Sequence, residues 1–335
     1  ETLLPQQNPG DSEREVPAED WSNSLLILGQ AIPTERLHPS LLRLTRMHIT
    51  VIGENLCNQE AELYTNAFDI DWSRMKPVER VITIGGHIVN KELKEFFRKN
   101  KPQEHWHISH DGAVVDLFGC QTVAIKSDYT KALNEIFRDV NRKSHKLELP
   151  LKENTDTANK RTAQIQELFD NIPPTSLVHL ANSTTIRIAQ HAKLKEHFNK
   201  KSGSSYRPYI FCNRGINGIE GSLSTTVGIA MAAPQYQKVF AVVGDLSFFY
   251  DQNAFWASPL PQNLHILVFN DGRGGIFNTL PVPQEPETSR QAIMGEHNLS
   301  ARHVAMLHNI KYLEGEDNLQ EFISSEETTI LEIRI

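Results

Sequence analysis

The chain has 335 residues, long enough for two domains of ordinary size, with 39% hydrophobic and 22% charged residues. A net charge of −7 with no basic block argues against nucleic acid as a partner, and no apolar run approaches the roughly 20 residues that span a membrane. Three scattered cysteines (Cys57, Cys120, Cys212) lack metal-ligand spacing and predict free thiols in a reducing, cytoplasmic compartment. With no initiator Met and no signal-like segment, the chain is expected to be a piece of something longer.

Residues 1–22 are polar, rich in Pro and acid, and read as a linker. From there apolar strands (24–28, 48–52, 80–84, 104–108, 122–125) alternate with amphipathic helices (39–46, 91–99, 128–140). The stretch 143–162 is charged and unpatterned and reads as a second linker. A second alternating series follows, with helices at 163–171, 183–199, 223–233 and 247–257 and strands at 177–180, 209–212, 239–243, 264–269 and 329–333. Alternation of this kind predicts an α/β fold of two doubly wound, mainly parallel-sheet domains, 23–142 and 163–335.

The most informative stretch is 240–272, FAVVGDLSFFYDQNAFWASPLPQNLHILVFNDG. One apolar strand ends in Gly244-Asp245 and the next in Asn270-Asp271-Gly272. Adjacent parallel strands would bring the Asp245 carboxylate and the Asn270 amide oxygen together. Hard oxygens converging there suit Mg²⁺, which completes its shell with phosphate and water. A helix opening at Leu246-Ser247 would aim free N–H groups at the same phosphates. Ordinary Gly-Asp and Asn-Asp-Gly turns are the plainer reading of the two tripeptides alone.

Further candidates flank this stretch. In LANSTTIR (180–187), Ser183 and Arg187 share a helix face, and Asn182 or Ser183 would serve as N-cap. Arg187 runs against the helix dipole, which makes sense if it meets an anion. FCNRGINGIEGSLSTTVG (211–228) places Arg214 at a strand tip and Ile219 in a Gly-rich loop, where core packing is the ordinary role of an Ile. Gly274-Gly275-Ile276-Phe277 leads into a Pro-rich stretch (278–286) and reads either as a flap over the site or as a hydrophobic loop anchor. Gly85-Gly86 lacks the full dinucleotide fingerprint and reads as a structural turn. Lys91 opens the next helix as a further cation. The HWHISH run (105–110) alternates as a strand and is not read as a metal site.

Taken in order, ANSTTIR, NRGINGIEGSLST, GDLSFFYD and NDGRGGIF closely resemble the 2-succinyl-5-enolpyruvyl-6-hydroxy-3-cyclohexene-1-carboxylate (SEPHCHC) synthases, a family of thiamine diphosphate (ThDP) enzymes of menaquinone biosynthesis. The likeness is strong over 178–283 and weaker, though collinear, before it. It implies a central and a pyrophosphate-binding domain, with the pyrimidine-binding domain and its activating glutamate outside this chain, in a homodimer or tetramer. These residues alone are then expected to be inactive. The implied cofactors are ThDP with Mg²⁺ or Mn²⁺, and the implied substrates are 2-oxoglutarate and isochorismate.

The resemblance assigns Asp245, Asn270 and the Gly272 carbonyl to the metal. It assigns Leu246, Ser247, Ile219, Ile276 and Phe277 to the cofactor, Ile219 as the apolar wedge beneath it. Ser183, Arg187 and Arg214 would contact substrate carboxylates or intermediates on the cofactor, with Lys91 and Phe277 also on the substrate side. Arg273 stands as an apparent insertion, and Glu92 stands where some members carry a second cation. Alternatives are an acetolactate-synthase-type carboligase or decarboxylase, whose small neutral acceptors would not need these arginines, and a non-catalytic assembly module.

Overall fold

A computed structural model describes residues 21–32, 35–138, 146–153, 159–199, 204–215, 218–279 and 287–335. The first half runs β1 (Ser24–Leu28), α1 (His38–Arg46), β2 (Thr50–Gly53), β3 (Thr65–Asn66), β4 (Arg80–Ile84), α2 (Lys91–Lys99), β5 (Glu104–Ser109), β6 (Val123–Lys126) and α3 (Tyr129–Ile136). Its six strands are all parallel, in the order β3-β2-β1-β4-β5-β6. The sequence of β1, SLLIL, has no polar face because both faces are covered. Leu26 and Leu28 pack with α1 and α3, whereas Leu25 and Ile27 pack with Phe96 and Phe97 of α2.

The second half continues with α4 (Lys160–Asn171), β7 (Ser176–Leu180), α5 (Thr184–Ala189), β8 (His197–Asn199), β9 (Ser204–Tyr206), β10 (Tyr209–Phe211), α6 (Ser222–Ala232), β11 (Lys238–Gly244), α7 (Asp245–Tyr250), β12 (Leu264–Asn270), α8 (Glu287–Met294), α9 (Ala301–Leu307), β13 (Lys311–Glu314), α10 (Leu319–Ser324) and β14 (Thr329–Arg334). Six of these strands form a second all-parallel sheet, β10-β7-β11-β12-β14-β13, and β8-β9 make a small antiparallel hairpin. Val178, Phe240 and Val242 face α4 and α10, while Leu177, Val239 and Ala241 face α6 and α9. Two doubly wound α/β layers are therefore what the chain forms.

Some element limits differ from the sequence reading. The helix expected over 183–199 stops at Ala189, because its last residues enter the β8-β9 hairpin. The one expected over 247–257 begins at Asp245, ends at Tyr250 and passes into a 3-10 turn over Gln252–Trp256. Of the helix expected over 128–140, residues 139–140 lie outside the described residues, as do residues 1–20, 143–145 and 154–158 of the two expected linkers and 280–286 of the Pro-rich stretch. Residues 146–152 are bound to the first sheet: Leu147 N–H donates to Thr50 Oγ1 (3.0 Å), and Lys152 N–H donates to the Asp69 carbonyl (2.9 Å). No helix among the described residues is long and apolar enough to cross a membrane.

Side-chain amides join the two sheets. Asn58, in the left-handed region at φ 53°, donates to the Ile210 carbonyl and accepts from the Ile210 N–H, both at 2.9 Å. Asn55 donates to the Ala189 and Ala192 carbonyls (2.8 Å each), and its N–H donates to Gln190 Oε1 (2.8 Å). These groups are buried, where a paired amide holds position and an unpaired one is costly.

Candidate functional site

In an open parallel sheet, ligands bind beyond the C-terminal strand ends, where the strand order reverses direction. In the second sheet that point lies between β7 and β11; in the first, between β1 and β4. The sequence-predicted residues of the second half lie at the C-terminal strand ends on either side of the former: Arg214 after β10, Ser183 and Arg187 after β7, Asp245 after β11 and Asn270 at the end of β12. Gly244 is in register with Phe269 across β11 and β12, so Asp245 and Asn270, each one residue further on, sit side by side at the strand tips.

Asp245 is buried, and its oxygens accept N–H groups from Leu246 (2.7 Å) and Arg273 (3.1 Å), with His297 Nε2 at 3.3 Å. Burial raises its pKa above the usual carboxylate range, with help from the Asp271 charge, against the lowering effect of those hydrogen bonds and of His297. Asn270 has its amide nitrogen fixed by the Leu299 carbonyl (2.9 Å) and Glu332 (2.5 Å), which turns Oδ1 toward the Gly272 N–H (3.0 Å). Glu332 is fully buried. Burial opposes its ionisation, yet hydrogen bonds from Tyr312, Asn270 and Ser300 outweigh it and hold the carboxylate below its ordinary pKa. Gly272 adopts φ +67°, and a Cβ there would sit 3.0 Å from the His297 carbonyl, so the turn requires glycine. Asp271 is drawn aside by Arg161 at 3.0 Å. The Asp245 carboxylate, the Asn270 amide oxygen and the Gly272 carbonyl, which here accepts the His297 N–H (2.8 Å), are hard oxygens of the kind that could hold Mg²⁺.

The neighbouring loops are stitched to this edge. Ser247 Oγ donates to the Ile219 carbonyl (2.5 Å), which holds the Ile219 loop against α7. Asn182 donates to the Asn213 and Gly218 carbonyls and accepts from Arg214 Nη1 (3.2 Å), so it links strand tips and caps no helix. Ser183 makes no capping bond either; it stands at φ 73°, ψ −127°, and its carbonyl accepts from Arg187 Nη1 (2.6 Å). Ile276 and Phe277 lie half-buried on a 3-10 turn (Gly275–Thr279), with Phe277 N–H donating to the Gly274 carbonyl.

Between the sheets is a cavity of about 400 Å³, lined by Gln30, Gly86 and His87 of the first and by Cys212, Arg214 and Gly215 of the second. Arg214 is buried, and its Nε has no hydrogen-bond partner among the described residues. Burial lowers the pKa of Arg187, and Arg214 lowers it further. Lys94, half-buried on α2, is likewise depressed by burial and then by Arg214, Arg98 and Arg187, with Glu54 opposing. Lys91, in contrast, is 77% exposed and 3.3 Å from Glu95 on its own helix. Lys94 and Gln30 carry no motif that sequence reading could use, and Gly86, read from the sequence as part of a structural turn, also lines the cavity. His297 and Glu332 lie 52 and 87 residues beyond Asp245 and reach it or Asn270 only through the fold.

The fold is that of a two-sheet α/β protein with oxygen donors at the β11 and β12 tips and a cluster of Arg187, Arg214 and Lys94 beside the cavity between the sheets. No protein-family model matches the chain. It is 39% identical over 283 residues to the 2-succinyl-5-enolpyruvyl-6-hydroxy-3-cyclohexene-1-carboxylate synthase of Phocaeicola vulgatus, covering 81% of this chain and 48% of that protein. The synthase of the same name from Bacteroides thetaiotaomicron is 36% identical over 89% of this chain and 53% of its own length. That from Flavobacterium psychrophilum is 31% identical over 88% and 54%. The chain belongs to the SEPHCHC synthase family, and it spans about half the length of the curated relatives it matches.

Proposed function

We propose that these residues are the central (23–142) and pyrophosphate-binding (163–335) domains of a ThDP- and Mg²⁺-dependent SEPHCHC synthase of menaquinone biosynthesis. The reaction joins the succinyl-semialdehyde unit of 2-oxoglutarate to isochorismate with loss of carbon dioxide. The observations that support the reading are the side-by-side placement of Asp245 and Asn270 at the β11 and β12 tips and the electrostatic clustering of Arg187 and Lys94 with Arg214, which lines the cavity between the sheets. Both substrates are dianions, and a buried guanidinium with an unused N–H is a carboxylate receptor.

Asp245, Asn270 and the Gly272 carbonyl would hold the cation, whose charge would offset that of the cofactor diphosphate, with Leu246 and Ser247 beside it. Ile219, Ile276 and Phe277 would wall the reacting centre from water. Bound ThDP would supply the electron sink for decarboxylation; the chain's own part is orientation and electrostatics. The half-site for the aminopyrimidine, with its activating glutamate, is assigned to the remaining length of the family's chains and to a homodimeric or tetrameric assembly.

The test is turnover of isochorismate plus 2-oxoglutarate by the full-length protein, paired with calorimetry of ThDP binding. Asp245→Ala should abolish Mg²⁺-dependent ThDP binding. Arg214→Ala should keep it and lose a charge-assisted contact of about 1.5–3 kcal/mol, a tenfold to hundredfold fall in kcat/KM for 2-oxoglutarate. Wild-type protein that turns over pyruvate and ignores isochorismate would instead fit the acetolactate-synthase type.

A further inference from the structure

A second cluster of ligand-type side chains lies by the start of β5, away from the crevice at the C-terminal ends of β1 and β4. His105, near the start of β5, is fully buried, and its Nε2 lies 3.0 Å from the Thr83 hydroxyl. Its Nδ1 has no hydrogen-bond partner among the described residues and points into the loop joining β5 to β6, 4.0 Å from Asp116 Oδ1. Cys120, four residues on, brings its sulfur to the same place, and the three ligand atoms lie within 4.8 Å of one another. A buried imidazole nitrogen without a partner costs free energy, so its orientation toward a carboxylate and a thiol calls for an occupant.

The surroundings prepare these groups. The Thr83 hydroxyl also meets His107 Nδ1 at 2.8 Å. If Thr83 donates to His107, it can accept from His105 Nε2–H, which leaves the His105 Nδ1 lone pair bare. Such an outer hydrogen bond is how metal-binding imidazoles are oriented. Burial lowers His105 to about 4, with Asp116 opposing. The loop is fixed from within: Asp116 Oδ1 accepts the N–H groups of Cys120 (2.8 Å) and Gln121 (3.0 Å), and Phe118 packs 5.0 Å from the imidazole. Burial and Asp116 raise the Cys120 thiol, with Lys101 opposing in part. A cation would reverse that balance.

We propose that His105 Nδ1, the Asp116 carboxylate and the Cys120 thiolate bind one zinc ion, with a water as fourth ligand, which clamps the 110–122 loop to β5. On binding, the Cys120 thiol gives its proton to solvent as the sulfur–zinc bond forms. One nitrogen, one oxygen and one sulfur suit zinc and exclude Mg²⁺, which does not take thiolate. Donors on a tetrahedral zinc lie roughly 3.3–3.8 Å apart, so the widest pair need close by only about 1 Å.

The experiment is titration of the protein with Co²⁺, then Zn²⁺, in excess Mg²⁺ to occupy the oxygen donors of the crevice. One equivalent of Co²⁺ should produce a thiolate-to-cobalt charge-transfer band that Zn²⁺ abolishes, and Zn²⁺ should raise the Tm. Cys120→Ala should lose the band. Asp116→Asn, which keeps an acceptor for the loop N–H groups, should bind Zn²⁺ at least about tenfold more weakly. A band that survives in Cys120→Ala would place the metal on Cys57 or Cys212 and overturn the assignment. So would Zn²⁺ affinity unchanged in Asp116→Asn, or no band in the wild type.

Discussion

Ser183 carries a backbone that glycine adopts freely and other residues do not, at φ 73° and ψ −127°. Nothing in the α5 cap requires it, since the side chain makes no capping bond. The conformation instead turns the Ser183 carbonyl toward Arg187. Strain of this kind costs about 1–3 kcal/mol and collects where geometry is used. Ser183→Gly should therefore unfold at higher urea, with a gain of about 1 kcal/mol after the added chain entropy, while turnover falls. A glycine variant no more stable than the wild type would mean that no strain is held there. The sequence marked Ser183 through its spacing to Arg187, but a dihedral angle leaves no trace in composition. The same limit hid Lys94: Lys91 and Lys94 are both lysines near the start of one helix, and only packing exposes the first and half-buries the second.

At the scale of elements, α2 is aimed at the crevice by Glu54, just after β2. Its carboxylate accepts the N–H groups of Val89 (2.8 and 3.0 Å to its two oxygens) and Asn90 (2.6 Å), immediately ahead of the helix. Burial raises Glu54 to about 7, outweighing those hydrogen bonds and the Lys94 and Arg214 charges. The unfolded chain gives up this proton near 4.5 and the folded chain only near 7. The folded state thus binds more protons in that window, and stability should fall as pH rises through it, by on the order of 3 kcal/mol, and level off above. Glu54→Gln should remove that slope, read as urea midpoints at pH 5 and 7.5 for both proteins; a difference between them independent of pH would mean that Glu54 is ionised throughout. Strands such as β1, β11 and β12 were legible because uninterrupted apolar runs between turn residues have few other uses. The elements after residue 287 apart from β14 were not, because α8, α9, β13 and α10 are short, and the apolar faces of α9 and α10 are defined only by the sheet they cover.

For the whole molecule, the Asn55 and Asn58 seam is a principal polar tie between the two sheets, beside the Gln30–Cys212 and Asn66–Gln190 hydrogen bonds. Asn58→Ala would leave the Ile210 N–H and carbonyl unpaired, at about 1–3 kcal/mol for each buried group. Calorimetry should then show a lower Tm and separate unfolding of the two halves. A single unshifted transition would show that the amides do not couple them. The alternation of strands and helices announced two doubly wound sheets. It could not announce their strand orders, nor the seam and the crevice, which depend on contacts between residues more than a hundred positions apart.

The Asn58 carboxamide has another consequence. β10 lies at the rim of the second sheet and would otherwise offer open peptide groups to any passing extended chain. Asn58 occupies both polar groups of Ile210, and Gln30 Nε2 occupies the Cys212 carbonyl at 3.0 Å. Side chains from one half thus imitate a seventh strand beside the other, and they close a border along which copies of the protein could otherwise polymerise.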